Sequence, residues 1–276
     1  MSESGASVDL DHCLAVGIEV ARAAGAEILA GFTDGRAQST AGWKGTADLV
    51  TDVDRRVERM VFDRLREAFP GYGFIGEETA GSSETVGTIP TWVVDPIDGT
   101  TNFVHGYPQV CIALALFVDA RVTVAIIFNP VLDEMFTAIR GRGAYLNGTR
   151  RLHVSQSRSL KEAVVSTNVG CMRDPRGIAF LTGNISRILD KQVLSMRMTG
   201  SASMSLASVA CGRLCAFYEW GIHIWDYAPG VLLVEEAGGK ACSPDGSPID
   251  FAGKRVLAGA PAVVDELASI LLVKDF

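Results

Sequence analysis

The longest apolar run in this chain, VCIALALFV at positions 110 to 118, is about half of the ~20 residues that cross a bilayer as a helix, so no membrane span is predicted. The opening MSESGASVDLDH has no basic segment leading into an apolar one, which argues against a secretory leader. Cysteine is sparse and scattered: Cys13, Cys111, Cys171, Cys211, Cys215 and Cys242 form no CxxC pair and keep no zinc-like spacing with histidine. They read as buried free thiols of a reducing compartment, and the chain is placed in the cytoplasm. Positive charge is also short, with Lys plus Arg 25 against Asp plus Glu 32 and a formal charge of −7. No overall positive field exists to gather phosphate backbones, which excludes nucleic acid as the main partner. An acidic protein that handled an anion would need a local source of positive charge, and a bound divalent metal is one.

What is present is the composition of a globular protein: 276 residues, 48% hydrophobic and 21% charged, enough for one large domain or two ordinary ones. Leu10, Leu14, Ile18, Ala21 and Ile28 recur at helical spacing, with Ser7 or Asp9 to cap the first turn. A second helix is predicted from about Asp54, its apolar face carrying Val57, Met60, Val61, Leu65 and Ala68, and Pro70 with Gly71 ends it. From Gly73 the pattern becomes that of strands: GFIG, WVVD, VCIALALFV, RVTVAIIF and EMFTAIR, with Asn147 and Gly148 marking a hairpin whose central residues want positive φ. After about 160 strands and helices alternate: AVVST, a helix near 175 to 189, VLSMRM, a helix from Ser203 to Cys211, LCAFYE, a helix from Asp226 to Ala237, RVLAGA and a last helix from Pro261. The predicted class is a layered α/β protein with a boundary around 150 to 160.

Four acidic clusters stand where strands end or helices begin: Asp48, Asp52 and Asp54 in DLVTDVD, Glu77 and Glu78 in FIGEE, Asp95 and Asp98 in WVVDPIDGT, and Asp226 in IHIWDYAPG. Each has an ordinary reading alone. Asp54 and Asp226 serve as helix caps, Asp98 as a turn residue before Gly99, and Glu77 with Glu78 as a solvated loop. Taken together they pose a harder problem, because carboxylates that share one corner repel unless cations lie between them. Mg2+ takes oxygen ligands and keeps waters, which leaves room for a phosphate oxygen and an attacking water. Asp95, Pro96, Ile97 and Asp98 form a bend in which both carboxylates can face one ion and the Ile97 carbonyl leaves the sheet. Gly99, Thr100 and Thr101 then lead towards a short helix whose free amides suit an anion. Whether the clusters converge is a matter of the fold.

These residues resemble the inositol monophosphatase family. WVVDPIDGTTNF carries the family's first signature, WDYAPGVLLVEEAGG its second, and DLVTDVD and GEE precede them in the family's order. The resemblance implies a five-layer α/β/α/β/α sandwich with mixed sheets, and one compact catalytic unit. Within it, residues 1–155 would form an α+β half for metal and phosphate, and residues 156–276 an α/β half for substrate. It implies two to three Mg2+ per site. Glu77, Asp95, the Ile97 carbonyl and Thr100 or water would hold the first, Asp95, Asp98 and Asp226 the second, and a weaker third would lie near Glu77. Asp54 and Thr100 match a dyad that helps activate water, with Glu77 beside them, and the Gly99 and Thr100 amides match the phosphate site. Glu219 matches the contact to the substrate alcohol, with Ala202 and the loop Asn168 to Arg173, Cys171 among it, lining the same region, and Lys44 and His223 are further candidates. The resemblance also implies a homodimer and inhibition by lithium. Phe103, Tyr107 and Val110 could serve the dimer interface or the core. Pro229 departs from the second signature, which has a small residue there. With Asp226 as N-cap, Pro229 falls in the first turn and is tolerated.

The activity expected is hydrolysis of a phosphate monoester, inositol monophosphate first, by water attacking in line. Fructose 1,6-bisphosphate, histidinol phosphate and nucleotide 3′-phosphates are alternatives on the same framework. Covalent catalysis of the DxDGT kind is excluded on spacing, since Ile97 stands two before Asp98 and cannot attack phosphorus. A binding module without catalysis would keep the metal site and release no phosphate. Glu219 suits a polyol, because a carboxylate can accept hydrogen bonds from two hydroxyls.

Overall fold

Alternation along the strands sorts their side chains into three separate cores. In the computed structural model, which describes residues 8–34, 41–43, 49–80, 85–170 and 172–273, a seven-stranded sheet runs in the order β3-β4-β5-β6-β7-β8-β9. Its strands are β3 (Gly73–Gly76), β4 (Thr91–Asp98), β5 (Cys111–Val118), β6 (Arg121–Asn129), β7 (Glu134–Ile139), β8 (Ala144–Leu146) and β9 (Arg150–Arg151). β3 and β4 are parallel and the other neighbours antiparallel. A small hairpin, β1 (Gly42–Trp43) with β2 (Leu49–Val50), stands apart.

Trp92, Val94, Ile112, Leu114, Leu116, Val124 and Ile126 point to one face of the large sheet. There they meet α1 (Leu10–Thr33) and α2 (Asp52–Ala68) through Ala21, Ile28, Val57, Val61 and Leu65. Val93, Ala113, Ala115, Ala125 and Ile127 point the other way, onto α5 (Ala202–Ala210) and α6 (Ile224–Glu236). Those helices are apolar nearly all round, as helices enclosed between two sheets must be. Their far side rests on Phe217, Val256 and Ala258 of a five-stranded sheet ordered β11-β10-β12-β14-β13. It is built from β10 (Val164–Ser166), β11 (Ser195–Arg197), β12 (Ala216–Trp220), β13 (Lys240–Cys242) and β14 (Arg255–Gly259). Its outer face, with Val165, Tyr218, Trp220 and Leu257, is covered by α4 (Pro175–Asp190) and α7 (Pro261–Ile270). The layers are therefore α/β/α/β/α with mixed sheets, as the resemblance implies. Among the described residues no helix is long and apolar enough to cross a membrane.

Three helices begin earlier than the sequence suggests. α2 starts at Asp52 behind the N-cap Thr51, α5 at Ala202 behind Ser201, and α6 at Ile224 behind His223. The last of these changes the account of Pro229, which lies inside α6 and outside its first turn. A proline there takes away the amide that would bond the Trp225 carbonyl, a defect that costs about 3 kcal/mol in an isolated helix. Here the helix is locked on both sides by the cores, and it holds. Asn147 and Gly148 have φ of 50° and 71° as expected, although the β8–β9 connection also takes in Thr149. Phe103 and Val110 are core residues, whereas Tyr107 is 49% exposed. β13 is an element the sequence did not announce.

Candidate active site

The bend in β4 answers the puzzle of two aspartates in a buried strand. Opposite residues of antiparallel strands share a face, and Asp95 pairs with Ala113 while Asp98 pairs with Cys111. Two steps on β5 therefore match three on β4, a bulge that brings Asp95 and Asp98 to the same face although their spacing would send them to opposite ones. That face looks towards α6. Ile97 turns the other way into the α1–α2 core and is 1% exposed. The bend is closed by the Ile97 amide, which donates to Asp95 Oδ1 at 3.0 Å, while Pro96 has no amide to leave unpaired. The freed Ile97 carbonyl accepts from Thr100 Oγ1 at 3.1 Å. Gly99 follows at φ 92°, where an added Cβ would come within 2.7 Å of the Gln109 carbonyl, and it caps α3 (Thr100–His105).

Three other elements bring carboxylates to the bend. The parallel β3–β4 ladder runs one residue past β3, with the Glu77 amide donating to the Val94 carbonyl at 3.2 Å, and this sets Glu77 beside Asp95. The next amide, of Glu78, donates to Oε2 of the buried Glu58 at 2.8 Å. Asp226 sits on the third residue of α6 and accepts from the His223 amide at 2.7 Å. Glu219, at the end of β12 and 5% exposed, accepts from Asn168 Nδ2 at 2.8 Å. On the N-terminal side, Asp54 is fully buried, receives the Thr51 amide at 2.8 Å, and has Thr100 Oγ1 3.3 Å from its Oδ1. Thr100 has a single proton and two acceptors in reach, Asp54 and the Ile97 carbonyl.

Burial and mutual repulsion make these groups reluctant to ionise together. Asp95 is pushed well above the carboxylate range, first by burial and then by the charges of Glu77, Asp98 and Asp226, with a hydrogen bond to Glu77 adding to the rise. Asp226 is raised well above it too, by burial and by Asp98 and Glu77, against the pull of the His223 amide. Burial lifts Asp98 to about 6, opposed by donors from Ser203 and Ser201, and lifts Glu219 to about 8, opposed by Asn168. Asp54 rises to about 6 for the same reason, against its Thr51 donors.

A cavity of about 470 Å³ collects Glu77, Asp95, Ile97, Asp98, Gly99, Thr100, Ala202, Glu219, His223 and Asp226 on its wall, so the acidic clusters do converge. Among the described residues, five carboxylates line it against one guanidinium, that of Arg173. His223 lies flat on Trp225, ring centres 4.8 Å apart, and its Nδ1 is 3.5 Å from Lys254 Nζ. Asp54 is not on the wall; it touches the site through Thr100. Asp52 is an exposed helix residue 3.7 Å from Arg55, away from the cavity wall. Lys44, Asp48 and Cys171 lie outside the described residues.

Among the described residues no three His, Cys, Asp or Glu side chains are arranged to hold a metal ion as they stand. Glu77 and Asp95 instead satisfy each other through their hydrogen bond. The donor set still fits a hard divalent cation: its groups are all oxygen, its carboxylates are buried and repelling, and a carbonyl lies among them. Sequence reasoning missed the residues that hold the carboxylates. Ser201 Oγ donates to Asp98 Oδ2 at 2.9 Å and the Ser203 amide to the same oxygen, while Ser203 Oγ donates to the Asp226 carbonyl at 2.8 Å. Asn102 Nδ2 donates to the Gln109 and Thr199 carbonyls at 2.8 and 2.7 Å, pinning the loop before Ser201. Asn102 lies within WVVDPIDGTTNF, and Ser201, directly before the helix, is the residue type that favours an N-cap.

Comparison with known proteins matches residues 9–273 to the sequence model of the inositol monophosphatase family. Inositol monophosphatase of Dictyostelium discoideum is 42% identical over 97% of this chain and 98% of its own length. Inositol monophosphatase 2 of Solanum lycopersicum is 44% identical over 90% of this chain and 94% of its own. Among solved structures, the extragenic suppressor protein suhB of Bartonella henselae superposes with a TM-score of 0.84 at 34% identity, covering 94% of this chain and 97% of that one.

Proposed function

Because the chain belongs to the inositol monophosphatase family, and so is a phosphoric monoester hydrolase of a metal-dependent family, we propose that it hydrolyses inositol monophosphate to inositol and phosphate with Mg2+ in the cavity. The observation that carries this reading is the convergence of Glu77, Asp95, Asp98 and Asp226 on one wall with the Ile97 carbonyl among them. These residues would hold two to three Mg2+. Bound there, the metal supplies positive charge that neutralises the phosphate and the departing oxygen and makes a bound water acidic.

The chain's own groups do the rest. The amides of Gly99 and Thr100, at the turn into α3, bind the phosphate oxygens. Thr100 Oγ1 takes a proton from the attacking water as it gives its own to Asp54 Oδ1, 3.3 Å away, so the proton comes to rest on Asp54. With its carboxyl raised to about 6, Asp54 is a better base than an ordinary aspartate and still ionised at neutral pH. Water oxygen bonds to phosphorus, the ester P–O bond breaks, and the alcohol oxygen leaves with the bond's electron pair and takes a proton from solvent water. Glu219 and the wall around Ala202 receive the hydroxyls of the alcohol.

The test is phosphate release from inositol 1-phosphate with and without Mg2+, compared by kcat/KM with fructose 1,6-bisphosphate, histidinol phosphate and adenosine 3′,5′-bisphosphate. Metal-dependent turnover with inositol 1-phosphate among the best supports the reading, and a hundredfold preference for another ester replaces the substrate. A homodimer, lithium inhibition and a cytoplasmic location belong to the same proposal. Exposed Leu194 and Met198 flanking the edge strand β11, with Ile178 and Leu189 on α4, supply apolar surface for a partner copy, and the free thiols suit a reducing compartment.

A further inference from the structure

We propose that Asn168 is a specificity-determining positioning residue: its carboxamide fixes Glu219 to receive the hydroxyls of a polyol and ties it to the loop that holds Asp98. The parallel strands β10 and β12 pair Ser166 with Phe217, and two residues further on the same register brings Asn168 beside Glu219 at the carboxyl ends of the strands. Asn168 Oδ1 accepts from the Gly200 amide at 2.9 Å. A backbone amide can only donate, so the orientation of the carboxamide is settled, and Nδ2 is the group 2.8 Å from Glu219 Oε2.

Gly200 leads into Ser201, whose hydroxyl donates to Asp98, and Thr199 on its other side is held by Asn102. One chain of bonds thus runs from Glu219 through Asn168 and Gly200 to Asp98, across the cavity from the alcohol to the acidic cluster. With Oε2 taken by Nδ2, the Glu219 side chain is held in one rotamer and its other oxygen is kept for substrate. Asn168 itself bonds to none of the groups assigned to the phosphate or the attacking water. Asn168 should therefore matter for esters whose alcohol carries hydroxyls and not for those that carry none.

This inference rests on the reading of Glu219 as a hydroxyl contact, and the test separates the two. Full-length protein with saturating Mg2+ is assayed on inositol 1-phosphate and on p-nitrophenyl phosphate, for wild type, Asn168→Ala, Asn168→Asp and Glu219→Ala. Asn168→Asp keeps an oxygen for the Gly200 amide and replaces the donor to Glu219 by a second carboxylate that repels it. In Asn168→Asp the ratio of kcat/KM on the polyol ester to that on the aryl ester is expected to fall about tenfold, the scale of one hydrogen bond, with the change in KM and aryl-ester activity retained; Asn168→Ala, which also frees the Gly200 amide beside the Asp98 loop, is expected to lower the ratio as far, with a smaller loss on both esters. An unchanged ratio, or an equal fall on both esters, overturns the proposal. If Glu219→Ala changes the ratio and the Asn168 variants do not, the inference alone fails; if Glu219→Ala leaves it unchanged, the reading of Glu219 fails with it.

Discussion

Asp54→Asn is expected to stabilise the metal-free protein at alkaline pH and to inactivate it. Asp54 ionises near 3.8 when unfolded and near 6 when folded, because burial outweighs the Thr51 donors. Between those values the folded state keeps a proton that the unfolded chain has lost, so stability falls as pH rises through that window. Above it the deficit is complete, about 3 kcal/mol at 1.36 kcal/mol per pKa unit. Asparagine never ionises and escapes this loss, and its oxygen can still accept from the Thr51 amide. It gives up a negative charge in the first turn of α2, a contribution of about 0.3–1 kcal/mol. The net gain is about 2 kcal/mol near pH 8, shrinking to nearly nothing near pH 3, where the wild-type carboxyl is largely protonated in both states. Urea denaturation of both proteins in EDTA at the two pH values reads it as a shift in midpoint with unchanged slope. Activity should drop about 10²- to 10⁴-fold, because Thr100 loses the base for its proton. A variant that is less stable than wild type near pH 8, a gain that does not vary with pH, or near-normal turnover would each refute the assignment of a buried, charged proton acceptor.

Asp95→Asn should abolish turnover while circular dichroism and solubility stay those of wild type; activity near normal would remove Asp95 from the metal site. Metal-free protein should lose stability as pH rises, through the window ending near 6 for Asp98 and near 8 for Glu219, since both carboxyls are raised by burial. Differential scanning fluorimetry should then find that Mg2+ raises Tm more at about pH 8 than at about pH 5, and an equal or reversed effect counts against the clustered carboxylates. Gly230→Ala should destabilise by about 1–3 kcal/mol, because its Cβ would come within 2.4 Å of Leu206 Cβ where α6 crosses α5; chemical denaturation with no measurable change would mean the helices can move apart.

Strand positions and the bend at Asp95 were legible because they depend on neighbours in sequence: short apolar runs for the first, Pro96 and Gly99 for the second. Helix starts were read late at Asp54 and Asp226 for one physical reason. A carboxylate on the third helical residue accepts the amide of the N-cap residue, from Thr51 and His223 respectively, and so performs a capping task at a distance of three residues from the true cap. By sequence alone the acceptor is mistaken for the cap. The bonds that hold the carboxylates stayed hidden because they join residues far apart along the chain: 105 positions from Asp98 to Ser203 and 97 from Asn102 to Thr199; the loop from Asn168 was expected near Glu219, but not the bond across 51 positions that joins them. Serine and asparagine in loops carry no periodicity to mark them, and only the stacking of layers decides which loops meet.

The distribution of donors among the carboxylates also ranks their need for a cation. Asp98 and Asp95 are both buried, yet Asp98 receives the Ser201 hydroxyl and the Ser203 amide at the start of α5, and it rises only to about 6. Asp95 accepts the amide of its own bend, faces the charges of Glu77, Asp98 and Asp226, and is raised further. Two donors at the start of α5 settle Asp98, whereas Asp95 has the Ile97 amide and the charges of the remaining acids around it. A proton shared with Glu77 is the solution the side chains find by themselves, and a divalent ion placed among the same oxygens would displace that proton and satisfy several carboxylates at once. The stronger effect expected of Mg2+ at higher pH follows from that competition, and it puts Asp95 at the centre of the site.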